Sequence, residues 1–98
     1  MEKELITISE YCVNYSVDPS FITALEESGL IVLTIVDDHK YIRFGQLVEM
    51  ERFIHFHYDL NINIEGIDVI MNLLNKVRLM QHEIDTLKDQ IRVQDNLK

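Results

Sequence analysis

The histidines His55 and His57 are the side chains of this chain that come nearest to a metal site, and Cys12 is its one thiol. Neither has the surroundings that chemistry needs. Residues i and i+2 of a helix point to different sides, whereas two imidazoles that share a metal ion stand at i and i+4, and no second cysteine or ordered set of carboxylates accompanies this pair. They are expected as partly buried or surface side chains, with His39 in a turn and His82 on a coil surface. Cys12 has no Asn or Asp neighbourhood that would turn a Cys and His pair into a nucleophile and its base. It reads as a small core residue, unable to form an internal disulfide, as suits a reducing compartment. The three glycines, Gly29, Gly45 and Gly66, stand singly and not in a phosphate-cradling run. The expectation is a protein that is not an enzyme and that holds no metal and no cofactor.

What the composition does supply is negative charge. Seventeen acidic residues against nine basic ones leave a formal net charge of -8, which opposes binding to nucleic acid, a polyanion held mainly through Lys and Arg. The charge is also uneven. Up to residue 30 the acids Glu2, Glu4, Glu10, Asp18, Glu26 and Glu27 face Lys3 alone, whereas from residue 61 onward acids and bases nearly balance. An acidic head suits a basic partner. Its sharpest features are Glu26-Glu27 and Asp37-Asp38, which Glu49 and Glu51 could extend. These six form the candidate partner-binding set, with solvated decoration as the competing reading.

Five elements must position those residues. Thr7-Ile8-Ser9-Glu10 has capping-box spacing and predicts a helix to about Tyr15 with Ile8, Tyr11 and Cys12 inward. Asp18-Pro19 restarts a helix. Phe21, Ile22 and Leu25 form its buried face, and Gly29 stands at a left-handed C-cap, so residues 19 to 28 complete a helix-turn-helix pair. Leu30 to Val36 and Tyr41 to Phe44, separated by the turn-prone Asp37-Asp38-His39, predict a β-hairpin. Leu47, Met50, Phe53, Ile54 and Tyr58 predict a third helix ending near Asp59.

From Glu65 to Leu97 no proline interrupts the chain, and Ile67, Ile70, Leu74, Val77, Ile84, Leu87 and Ile91 recur at three- and four-residue steps. The spacing predicts one helix of about 50 Å, too long for so small a domain to cover. Ile70, Leu74, Val77, Ile84, Leu87 and Ile91 are therefore expected to dimerise it with its twin, with Gln81 and Lys88 as polar interruptions of the seam. The chain is expected to divide into a head, residues 1-62, and a coiled-coil-like dimerisation helix, residues 63-98. No apolar run is long enough for a membrane span, and Met1-Glu2-Lys3-Glu4 lacks the features of a secretion signal, so a cytoplasmic location is expected.

This order of capped helix, Pro-started helix ending in Glu26-Glu27-Ser28-Gly29-Leu30, hairpin, third helix and terminal coil resembles the MerR-type regulators. The resemblance covers nearly the whole chain and implies a mostly α, winged helix-turn-helix fold. MerR-type DNA binders place arginines and tyrosines on the second helix. Here that helix turns out Ser20, Thr23, Ala24 and Glu27, and no Lys or Arg occurs between Val17 and His39, so it cannot anchor phosphates or read guanine.

Three segments resemble the CbpM chaperone modulators more closely. They are Ile6-Thr7-Ile8-Ser9-Glu10-Tyr11-Cys12, His55-Phe56-His57-Tyr58-Asp59-Leu60-Asn61-Ile62-Asn63 and Glu65-Gly66-Ile67-Asp68. One departure is the pair His55 and His57, where relatives often carry arginines. The resemblance implies a protein that binds the J-domain of a CbpA- or DnaJ-type co-chaperone and inhibits its action on Hsp70, and the long helix is expected to make it a homodimer. The alternatives are a MerR-type transcriptional regulator lacking an effector domain, and a dimeric adaptor with an unrelated partner.

Overall fold

The computed structural model describes residues 4-96. Its elements follow the chain as β1 (Leu5–Thr7), α1 (Ile8–Tyr15), α2 (Pro19–Glu27), β2 (Thr34–Val36), β3 (His39–Arg43), a 3-10 turn (Phe44–Gln46), α3 (Leu47–Ile54), a π-helical turn (His55–Asp59) and α4 (Ile64–Asn96). The fold is mostly helical with a small antiparallel sheet, as expected. The end expected for the last helix, Leu97, lies outside the described residues.

The helix starts and stops follow from local chemistry. Thr7 is extended, and its hydroxyl accepts the Glu10 amide at 3.0 Å. Asp18 accepts the Ser20 amide at 3.0 Å, and the bonds from Ser20 hold the Asp18 carboxyl below its ordinary range. At the other end of α2 the Gly29 amide donates to the Glu26 carbonyl and the Leu30 amide to the Leu25 carbonyl, both at 3.0 Å. This crossed pair is the Schellman arrangement, and it needs Gly29 at its φ of +85°. Asn63 starts α4 by accepting the Gly66 amide at 2.8 Å.

The sheet differs from the expectation in two ways. Strand β2 begins only at Thr34, although the stretch rich in β-branched residues starts at Leu30. The Gln46 side chain takes both backbone groups of Val32: the Val32 amide donates to Oε1 at 3.1 Å, and Nε2 donates to the Val32 carbonyl at 2.7 Å. A side-chain amide thus replaces a strand partner, while Ile31 and Leu33 still turn inward. The second difference is β1, a third strand absent from the sequence reading. The sheet order is β1-β3-β2, with Ile6 opposite Ile42 and Ile35 opposite Lys40. Val36 and His39 close the hairpin around Asp37 and Asp38, whose φ values of 53° and 66° are those a two-residue type I′ turn requires.

The contacts divide the chain into two units, residues 1-68 and 69-98. In the first, Tyr11, Ile22, Leu25, Ile42, Met50, Phe53 and Ile67 are fully buried. Tyr11 stacks on Tyr15 with ring centroids 4.5 Å apart, and its hydroxyl is buried without a hydrogen-bond partner. Burial, aided by the charges of Tyr15, Glu51 and Cys12, pushes its pKa up to about 12. The fold therefore favours the neutral phenol. Stability is intact below the ordinary tyrosine pKa near 10 and falls as pH rises from there toward 12. Chemical denaturation of Tyr11→Phe is expected to show unchanged or slightly raised stability at pH 7, by up to about 1 kcal/mol, and a shallower loss between pH 10 and 12. A loss of 2 kcal/mol or more at pH 7 would mean that the hydroxyl is bonded after all.

Candidate partner-binding surface

Of the expected acidic residues on the helix-turn-helix and hairpin, Glu26 is bonded by a cation of the hairpin. Lys40, on β3, donates from Nζ to both carboxylate oxygens of Glu26 on α2, at 3.1 and 3.3 Å. At the hairpin tip Asp37 and Asp38 are exposed, and the Asp37 carbonyl accepts Nδ1–H of His39 at 2.9 Å. The tip is thus held by its own backbone chemistry, while its carboxylates face water.

Glu27 is exposed and lines a cleft with Ala24, Ser28, His57, Asn63 and Glu65. The sequence reading did not foresee what builds this cleft. His57 lies flat on Phe21, ring centroids 4.5 Å apart and planes 15° from parallel, and donates Nδ1–H to the Ile62 carbonyl at 3.0 Å. The neighbouring Tyr58 hydroxyl accepts the Asp18 amide at 3.0 Å, tying the turn between α1 and α2 to the π-helical turn. His55 instead contacts Asp59 at 2.9 Å, so the two imidazoles have separate partners. Among the described residues, no group of three or more His, Cys, Asp or Glu side chains is placed to hold a metal ion.

Glu49 and Glu51 are exposed on α3. Two residues apart, they point to different sides of that helix, and Glu51 lies close enough to Tyr11 to oppose its ionisation. Cys12 is buried, and burial followed by the charge of Asp18 pushes its thiol pKa up, away from thiolate reactivity.

The order of elements matches a known pattern. The family model described as MerR HTH family regulatory protein covers residues 6-89. The chain belongs to the MerR HTH family. No curated protein and no solved structure matched it.

Within the family's helix-turn-helix, α2 presents a polar, uncharged-to-acidic outer face. Ser20, Thr23 and Glu27 are exposed and Ala24 is half-buried, with the Thr23 hydroxyl turned back to the Pro19 carbonyl at 3.3 Å. No Lys or Arg lies on α2. In the second unit, α4 leaves Leu74, Val77, Ile84, Leu87 and Ile91 exposed, while Ile70 at the unit's start is half-buried. Leu73 and Met80, absent from the sequence reading, are exposed too. With them, Ile70, Leu73, Val77, Met80, Ile84, Leu87 and Ile91 follow alternating steps of three and four without a polar interruption, and Gln81 and Lys88 stand one position beside that stripe. Nineteen large apolar side chains are exposed among the described residues, and ten of them fall in residues 69-96, far more than scattered surface apolars explain. No helix among the described residues is long and apolar enough to cross a membrane.

Proposed function

We propose that this MerR-family protein is a non-enzymatic chaperone modulator of the CbpM type, which binds the J-domain of a CbpA- or DnaJ-type co-chaperone and inhibits its action on Hsp70. The observation that carries this reading is the acidity of the helix-turn-helix and hairpin. The α2 helix and hairpin that carry Glu26, Glu27, Asp37 and Asp38 hold two basic residues, Lys40 and Arg43, both on β3, and the Lys40 ammonium is already paired with Glu26. J-domains present a basic helical face to Hsp70, and an acidic surface that covers it competes by charge mimicry. Glu49 and Glu51 extend the proposed contact set. The resemblance of the segments 6-12, 55-63 and 65-68 to CbpM proteins supports the choice of partner.

The protein acts as a homodimer in this reading, with residues 1-62 as the partner-binding head and residues 63-98 as the dimerisation helix. Its seam comprises Ile70, Leu74, Val77, Ile84, Leu87 and Ile91, widened by the exposed Leu73 and Met80. A β-branched or leucine side chain buried in such a seam contributes about 1.5–3 kcal/mol, so a single charge there is disruptive. Light scattering of Val77→Asp is expected to show a monomer where the unsubstituted protein shows a dimer. A monomeric unsubstituted protein at tens of micromolar would remove the seam from the proposal.

The second reading is a MerR-type transcriptional regulator, which the family match supports no more strongly than the first. Calorimetric titration of the protein with the J-domain of the same cell, at low and high salt and beside a DNA-shift control, separates the two. The modulator gives saturable binding that weakens with salt and no DNA shift. Reversal of Glu27, Asp37 and Asp38 to Lys is expected to weaken J-domain binding about tenfold or more. Absence of J-domain binding overturns the proposal, and a DNA shift in its place establishes the regulator.

A further inference from the structure

We infer that Lys40 is an internal competitor on the acidic face, its ammonium occupying the Glu26 carboxylate that a basic side chain of the partner takes over on binding. The inference rests on the proposed function and specifies how that surface is regulated. Lys40 is the only Lys or Arg from residue 4 to residue 42, and it spans fourteen residues of sequence to reach both carboxylate oxygens of Glu26. Among the described residues, Lys40 is thus a cation already seated on this face, at the Glu26 carboxylate.

The pair is also built to exchange. The Lys40 side chain is 49% exposed and that of Glu26 30%, so neither end is locked, and exposed pairs of this sort contribute little to stability. A lysine stem is flexible and its ammonium strongly hydrated, so release to water costs little. An incoming guanidinium makes two parallel bonds to a carboxylate where an ammonium acts as a point charge, so the partner group favoured in the exchange is an arginine. Until then Lys40 masks one of the face's carboxylates and lowers its attraction for weakly basic surfaces.

The test is a double-mutant cycle read by calorimetric titration with the J-domain, using the unsubstituted protein, Lys40→Met, Glu26→Gln and the double variant, each checked for its melting transition. Competition predicts that Lys40→Met tightens binding about two- to fivefold, and that the same substitution has no effect when Glu26 is already Gln. Weaker binding by Lys40→Met would mean that Lys40 is a strut positioning the hairpin, and equal tightening in both backgrounds would mean a long-range charge effect. Either result overturns the inference and leaves the proposed function standing. No binding by the unsubstituted protein overturns both.

Discussion

Strand β3 is hydrogen-bonded on both sides, and the geometry of the first unit follows from that. Its register sets Ile6 against Ile42 and Ile35 against Lys40. Because residues two apart on a strand share a face, burying Ile42 fixes Lys40 on that same side of the sheet, where its ammonium meets Glu26 of α2. A slip of one residue would turn Ile42 to water and carry Lys40 away from α2. The two-residue tip at Asp37 and Asp38 admits no such slip, since both residues hold the positive φ that ties the turn to one register.

The parts of this fold that were legible in the sequence are those with local causes. Thr7 and Asp18 cap the helices they precede, Gly29 supplies the left-handed residue that ends α2, and the stretch after Asn63 runs as one helix. Features with distant causes were not legible. Strand β1 is three residues long and has no signal of its own beside the capping residue Thr7, since it exists through pairing with residues 41-43. The shortening of β2 comes from Gln46, fourteen residues away from the Val32 backbone it bonds. In the candidate surface, the acidic residues were visible as sequence pairs, but the pairing of Glu26 with Lys40 and the stack of His57 on Phe21 required the fold. The stripe through Leu73 and Met80 could have been found earlier: it differs from the Leu74, Gln81, Lys88 register by one position, and counting every three- and four-residue step separates the two.

Membership of the MerR HTH family gives the chain a helix-turn-helix whose second helix carries no Lys or Arg. The helix caps, the hairpin and the buried residues keep the architecture intact, while the outward side chains set the sign of the charge it offers. In the proposed reading such a surface repels duplex DNA and attracts a basic protein face.

The most direct test of this acidic surface is residue-resolved. Isotope-labelled protein would be titrated with the J-domain, and the amide shifts followed by two-dimensional NMR. Perturbations concentrated at residues 23-28, 36-41 and 49-51, with little change along residues 69-96, are the expected result. A pattern confined to α4, or to the turn around His55 and Asp59, would contradict the claim that the acidic helix-turn-helix and hairpin form the partner-binding surface.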